Sequence, residues 1–486
     1  ALAFADDLVL CARTSSGLRR SMDAVQTRLS AAGLVLNVEK SATLAITIDA
    51  KAKRYVVDTS EVFYLGQQNL GVLDAASQLK YLGIQFLPRG AAPSDGSALE
   101  KGLRNLRRAP IKPQQRMFML RDHLIPQLQH GLVLGAARRG TLRKLDVQMR
   151  HHTRLWLRLP KDTPVAYFHA RSADGGLGLP QFSVTIPILR ERRMRGLEQS
   201  DSPYVRAVIR TKLGDVVRSR NTYNLHYGGE RPRSIKQADV ITAKLLHQAV
   251  DGRGLLEASR VPEPNDWVLG RSRLQSGRAF IDSVKVRGNL LPTGSRSSRG
   301  RRGQGSEGWC DAGCRAKESL NHISQACIRT HGGTVQRHDA VSRFACGRLR
   351  QRGFVVIEEP RIPTPAGIRK PDIIAEKNGK PVILDTQIKS DTLKLSDEHV
   401  RKRNYYDTPE VLDWVRNKFE SENVPLVSTI TLSWRGVWAP ESATLLRELG
   451  LTKTDLRLIS VMVVEKTALM FRWFKRSALT RNAPRQ

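Results

Sequence analysis

Asp372 and Asp385 flank a stretch whose pattern should bring them together. Asn378-Gly379 separates Ile373-Ile374-Ala375-Glu376-Lys377 from Lys380-Pro381-Val382-Ile383-Leu384, and Asn-Gly between β-rich runs is the strongest short-range hairpin signal. A two-residue loop there pairs Lys377 with Lys380 and, counting back along both strands, sets Asp372 directly opposite Asp385. Directly opposed side chains share a face, with Cβ atoms about 4.5–5.5 Å apart. Like charges at that separation repel unless a cation lies between them, and a divalent metal suits the place. A surface pair tolerated at a hairpin mouth is the plainer alternative, and one other register would separate the acids. Glu376 is a weaker further ligand. Beyond Asp385 the same face carries Gln387 and Lys389.

Two further groups could do chemistry. Asp6 and Asp7 stand between the apolar runs Leu2-Ala3-Phe4 and Leu8-Val9-Leu10, which puts paired carboxylates at a hairpin tip. Two-metal phosphoryl transfer needs such acids, holding divalent ions about 3.5–4 Å apart. An isolated pair would more often be a solvated turn, so the reading leans on its surroundings. Cys310, Cys314, His322 and Cys327 follow the spacing C-x3-C-x7-H-x4-C, and they include three of the five cysteines in the chain. Zinc takes four thiolate and imidazole ligands from short loops, so a structural Zn2+ is expected, with free thiols in a reducing compartment as the alternative. Cys11 and Cys346 read as small core residues.

The elements that must position these groups alternate along the chain. Leu18, Met22, Val25 and Leu29 mark an amphipathic helix that Gly33 stops. Residues 80–86 read as a strand with a glycine bend. Residues 101–121 hold seven cations and no acid, Arg104, Arg107 and Arg108 among them, over an apolar face with Leu103 and Met117. Such a face suits a phosphate backbone. A heptad-like stripe from Leu142 to Leu159 reads as core. Residues 283–306 carry six cations and no acid; the Gly/Ser/Arg-rich part around 295–303 reads as a flexible linker in which Arg299, Arg301 and Arg302 hold nucleic acid, and a nuclear-localisation signal is an equally simple reading. In the last 150 or so residues, a normal domain size, helix and strand alternate: a helix with Val335, His338 and Val341, a strand at 354–357, the hairpin, a strand at 427–434, a short helix near 443–449, a strand at 459–464 and a final helix. Arg337 and His338 could face DNA, though a helix histidine is more often structural.

The whole composition agrees with a polyanionic partner. The chain has 486 residues, 80 Lys plus Arg against 46 Asp plus Glu, a formal net charge of +34, and 40% hydrophobic residues. That excludes a mainly disordered, collagen-like or acidic solvating protein. No apolar run is long enough to span a membrane. The first residue is Ala1 and the sequence enters inside a motif, so a fragment without its N-terminal part is expected.

In order, Phe4-Ala5-Asp6-Asp7, the segment ending in Lys40, and Tyr81-Leu82-Gly83 resemble the palm of a non-LTR retrotransposon reverse transcriptase. The region with Gly175-Gly176-Leu177-Gly178-Leu179-Pro180 is similar to the type-1 elements that insert into ribosomal RNA genes. Pro371-Asp372, Asp385-Thr386-Gln387 and a lysine resemble a PD-(D/E)xK nuclease, with Gln387 where that core usually carries lysine. The resemblance implies a multidomain α/β protein: the end of a palm (1–95), a helical thumb (96–200), a basic linker (201–305), a CCHC zinc knuckle (306–330) and a restriction-like endonuclease (331–486). It implies Mg2+ on Asp6 and Asp7 and on Asp372 and Asp385, and nucleic-acid contact by Lys40. The nuclease lysine falls to Lys389 or, by first choice, Lys402. Expected partners are target DNA, ribosomal by resemblance alone, element RNA and deoxynucleotides, in the nucleus. The expected reaction is nicking of DNA followed by reverse transcription primed from the nick. The other reading is a nucleic-acid-binding protein with inactive polymerase and nuclease remnants.

Overall fold

The computed structural model describes residues 2–51, 53–88, 90–92, 96–135, 137–221, 224–270, 275–299 and 308–481. It divides into two units built from non-contiguous chain. One comprises residues 1–100, 126–145 and 186–223; the other comprises 101–125, 146–185 and 224–486. The segment expected as a thumb contributes to both. Among the described residues no helix is long and apolar enough to cross a membrane.

In the first unit, strands Leu2–Phe4 and Asp7–Val9 form an antiparallel hairpin with Phe4 opposite Asp7. Its turn is Ala5-Asp6, where Ala5 has a φ of 52°. The helix Ser15–Ala31 follows, capped by Thr14, whose hydroxyl accepts from the Gly17 N–H at 3.1 Å. Its apolar stripe buries Met22 against Phe63 and Leu70. The expected bent strand at 80–86 is instead two strands, Leu79–Tyr81 and Ile84–Leu87, with Tyr81 opposite Ile84. The cause is local: Leu82 and Gly83 both have positive φ, 47° and 79°, and two consecutive left-handed residues reverse a chain.

The second unit holds the sheet that matters for the site. Helix α1 (His331–Gln351) leads into strand β1 (Val355–Glu358). Then come β2 (Ile373–Lys377), β3 (Lys380–Lys389), helices α2 (Leu395–Tyr406) and α3 (Pro409–Phe419), β4 (Leu426–Ser433), α4 (Pro440–Glu448) and α5 (Lys453–Arg481). The strand order is β1-β2-β3-β4; the first two pairings are antiparallel and β3 runs parallel to β4. The parallel pair needs a crossover, which α2 and α3 supply. The β2–β3 register is the expected one: Lys377 faces Lys380 and Ile373 faces Leu384, with Asn378 and Gly379 at φ 53° and 73° in the turn. Alternation then gives β3 two faces. Val382 and Leu384 join a core with Val341, Leu349 and Ile459 under α1, α4 and α5. Ile383 packs on the other side with Tyr406, Val411 and Val415 of α2 and α3.

The expected strand at 459–464 lies inside α5. Ile459, Ser460, Val463 and Val464 are wholly buried and Val461 nearly so, because α5 packs on the sheet core and on helices His331–Gln351 and Gly277–Arg287 at once. A stretch of helix in which only Met462 is partly exposed reads as an apolar run rich in valine and isoleucine, which periodicity cannot tell from a buried strand. Of the flexible linker expected around 295–303, the described part ends at residue 299 and opens as a short helix, Gly294–Ser297. Gly277–Arg287 is a helix with Arg287 fully buried, bonded to the Arg435 carbonyl at 2.9 Å. Arg296 Nη1 meets Asp251 Oδ2 at 2.6 Å, and Arg299 grips both Asp251 oxygens at 2.8 and 2.9 Å. The acid that neutralises them lies far upstream, which a local count of charges misses. Arg301 and Arg302 lie outside the described residues. Arg104, Arg107 and Arg108 are on the exposed face of Ser97–Arg108, as is Lys40 in its turn. Cys346 is buried, whereas Cys11 is exposed, not a core residue.

Candidate active site and metal centre

Asp372 precedes β2 by one residue and Asp385 is the sixth residue of β3, so the hairpin register places them at one end of the sheet on the α2 face. Asp372 Oδ2 accepts from the Thr386 N–H at 2.6 Å. Asp385 is buried; its Oδ1 lies 2.8 Å from the Tyr406 hydroxyl and its Oδ2 3.2 Å from Lys402 Nζ. Burial and the neighbouring charge of Asp372 push the Asp385 carboxyl up to about 6. Two carboxylates sharing a partly dry site call for positive charge, and at this position the side-chain chemistry fits a divalent cation.

Lys402 and Lys389 separate clearly. Lys402 projects from α2 onto Asp385. Lys389 sits two residues past Gln387 on the same strand face, but Glu398 of α2 draws it away: Lys389 Nζ lies 2.9 Å from Glu398 Oε2. Gln387 donates to the Glu398 carbonyl at 3.0 Å and to Thr431 Oγ1 at 2.6 Å, so it braces strand to helix. Glu376 caps the turn by accepting from the Gly379 N–H and is not aimed at the pair.

His338 of α1, offered by the sequence as a DNA-facing or a structural histidine, stands instead against the acidic pair. Its Nε2 lies 3.0 Å from Asp372 Oδ2 and 3.0 Å from the Thr386 carbonyl, and its Nδ1 lies 3.2 Å from Asp339 Oδ1. The hydrogen bond to Asp372 pushes the imidazole up to about 9, against the effect of burial. Its neighbour Arg337 does not face DNA: it is fully buried, donating to Thr467 Oγ1 and the Ser324 carbonyl, each at 2.8 Å. No local pattern distinguished the two; the helix must be docked on the sheet before either role shows.

Cys310, Cys314, His322 and Cys327 converge in one cluster, with all four ligand atoms within 4.8 Å of one another. Cys327 Sγ stands 3.8 Å from both other sulfurs. Tetrahedral zinc with bonds of about 2.3 Å to sulfur sets sulfurs roughly 3.8 Å apart, so the spacing fits. His322 Nε2 is buried without a hydrogen-bond partner, and burial lowers its pKa, so the lone pair stays available to a metal. The supporting turns are local: the Cys310 N–H donates to the Ala316 carbonyl at 2.8 Å, and Ser319 caps the short helix that carries His322.

Asp6 and Asp7 are exposed on their hairpin, adjacent along the chain, one in the turn and one opening the second strand.

No family model matches the chain. It is 37% identical over 477 residues to the retrovirus-related Pol polyprotein from a type-2 retrotransposable element of Drosophila melanogaster, covering 98% of this chain and 45% of that protein. It is 36% identical over 478 residues to the Pol polyprotein from the type-1 retrotransposable element R2 of Nasonia vitripennis, again 98% of this chain and 45% of the relative. A Pol polyprotein of the same element type from Popillia japonica is 29% identical over 485 residues, 99% of this chain and 98% of that protein. The chain thus spans under half the length of the first two relatives.

Proposed function

We propose that this chain, which belongs to the family of R2-type retrotransposon Pol polyproteins, nicks target DNA with the Asp372–Asp385 centre and supplies Asp6 and Asp7 to reverse transcription primed from that nick. The observation that carries the nuclease reading is the constellation across the β2–β3 hairpin: two carboxylates in register, one of them 3.2 Å from Lys402 Nζ. Asp372 and Asp385 would hold Mg2+, which supplies a Lewis acid and a more acidic water. Lys402 is positioned to offset charge building on the scissile phosphate. Tyr406 and the Thr386 N–H hold the two carboxylates in orientation. Water adds to phosphorus, the P–O3′ bond breaks, and the departing oxygen takes a proton to give the 3′-hydroxyl that primes copying of the element's RNA.

Asp6 and Asp7 would hold Mg2+ for nucleotide addition, with deoxynucleotides as substrates. Cys310, Cys314, His322 and Cys327 hold structural zinc in this reading. Lys40, Arg104, Arg107 and Arg108 meet nucleic acid; Arg299 is taken up by Asp251 and is removed from that set. Ribosomal DNA as target and the nucleus as the place of action follow from the family likeness.

The test uses the full chain with zinc and supercoiled plasmid carrying ribosomal DNA, with and without Mg2+. Mg2+-dependent nicking that disappears in both Asp372→Ala and Asp385→Ala is the expected result. Tight binding without any nicking in the wild type would favour a binding protein with an inactive centre.

A further inference from the structure

We infer that Arg337 is the buried counter-charge of the Cys310–Cys314–His322–Cys327 centre when that centre holds zinc, so that metal binding and the docking of α1 support each other. The inference rests on the zinc reading above and gives a role to a charge which that reading leaves unmatched.

Arg337 is wholly buried, an unusual place for a side chain that keeps its proton in proteins. Its partners are neutral: Nη1 donates to Thr467 Oγ1 and Nη2 to the Ser324 carbonyl, each at 2.8 Å, and Nε is buried without a hydrogen-bond partner. No carboxylate among the described residues pairs with it, and burial alone pulls its pKa down, to about 9. A charge taken out of water destabilises the fold unless an opposite charge meets it. A nucleic-acid phosphate cannot supply that charge, because no surface of Arg337 is open to one.

A loaded zinc centre can supply it. Three thiolates and a neutral imidazole around Zn2+ leave one net negative charge. The acids beside the four ligands are matched already: Arg329 meets Asp311 at 2.8 Å and Lys475 meets Glu318 at 2.6 Å. Arg315 and Lys317 are exposed and solvated. The geometry brings the two unmatched charges together. Ser324 follows His322 by two residues on the short helix Leu320–Gln325 and precedes Cys327 by three. The chain turns back there: the Cys327 N–H donates to the His322 carbonyl at 2.9 Å, and Thr330 Oγ1 donates to the Ile323 and Cys327 carbonyls at 2.5 and 3.2 Å. A guanidinium held on the Ser324 carbonyl therefore lies against the segment that carries two of the ligands. In so dry a place opposite charges attract far more strongly than in water. The other partner, Thr467, belongs to α5, so one side chain joins the zinc segment, α1 and α5.

The experiment measures the zinc affinity of the full chain by competition with a chromophoric chelator, with Cys327→Ser as the ligand-deleted control. Arg337→Gln keeps hydrogen-bond donors and loses the charge, Arg337→Met loses both, and Arg337→Lys keeps the charge. The first two should weaken zinc binding about tenfold to a hundredfold, the usual cost of removing a group that supports metal ligands from outside, and the lysine variant should stay within about threefold of the parent. Thermal melting supplies a second reading. With zinc, Arg337→Met should melt below the parent; with zinc chelated it should melt level with the parent or above it, since the charge then has nothing to offset it. A guanidinium that serves packing alone would lower both melts alike and leave zinc affinity unchanged, and that result overturns the inference. So does an equal loss of affinity in the lysine variant, which would make the shape of the guanidinium the operative property. Should Arg337→Met fail to fold, Arg337→Gln takes its place in both readings. Failure of the zinc reading looks different: the parent would then take up no more zinc than Cys327→Ser, and the inference would fall with it.

Discussion

At the scale of single residues, the acidic pair divides its neighbours by what competes for them. Lys389 shares a strand face with Asp385, yet Glu398 holds it; Lys402 has no such rival and sits on the carboxylate. Lys402→Ala should therefore lower the plasmid nicking rate by about a hundredfold to a thousandfold, the usual cost of one charge-stabilising donor, while Lys389→Ala stays within about threefold. The imidazole of His338 gives a pH signature in protein free of added divalent cation. It faces Asp372, Asp339 and Asp385, and its value of about 9 lies above the 6.5 of an ordinary histidine. Stabilisation by the charged ring is then complete below about pH 6.5 and is lost as pH rises through 9. Melting scans should find His338→Ala less stable than the parent by ~1–2 kcal/mol at pH 6.5, discounted for exposure, and nearly level with it at pH 10. The Asp pair itself was legible from Asn378-Gly379 because a two-residue turn fixes register. His338 was not, since nothing in a helix's own sequence says which carboxylate its face will meet.

At the scale of elements, the outcome turned on what surrounds each segment. The apolar stripe of Ser15–Ala31 was readable because one face is wet, while the run 459–464 inside α5 was misread because all of it but Met462 is buried. Within α5, Ser460 accepts the Trp438 indole N–H at 2.8 Å and donates to the Gly436 carbonyl at 3.1 Å, all buried. Ser460→Ala leaves that N–H unpaired and should cost ~1–3 kcal/mol in denaturant unfolding, with the fold retained. The convergence of Cys310, Cys314, His322 and Cys327 was legible from spacing alone, since four side chains within 18 residues need little tertiary help to meet. Cys327 stands at the centre of the sulfur spacing, so Cys327→Ser should release about one zinc per chain by metal analysis and expose the segment around 308–330 to protease.

At the scale of the molecule, the formal charge of +34 promises salt-sensitive affinity for DNA but does not say which cations touch it. Structure sorts them by their partners. The double variant R107Q/R108Q removes two exposed charges and should reduce the slope of log affinity against log salt by about 2. Arg299→Gln should leave that slope alone and lower stability, because Arg299 closes a bidentate pair with Asp251. Domain organisation was the least legible level: a linear reading cuts the chain into consecutive pieces, whereas each compact unit takes three separate stretches.

That interleaving has a consequence for how the protein is made. Within the second unit, Gln114 bonds the Gln275 carbonyl, Arg121 the Leu269 carbonyl, and Arg287 the Arg435 carbonyl. A chain leaving the ribosome from its N-terminal side must carry residues 101–125, with their apolar faces bare, until partners some 150 positions later emerge. At ordinary synthesis rates of about 5–20 residues per second, that interval is roughly 8–30 s. The late-arriving helices and sheet thus act as the closing half of a clasp whose first half waits unfastened, and translation that stops before them leaves the sticky half behind.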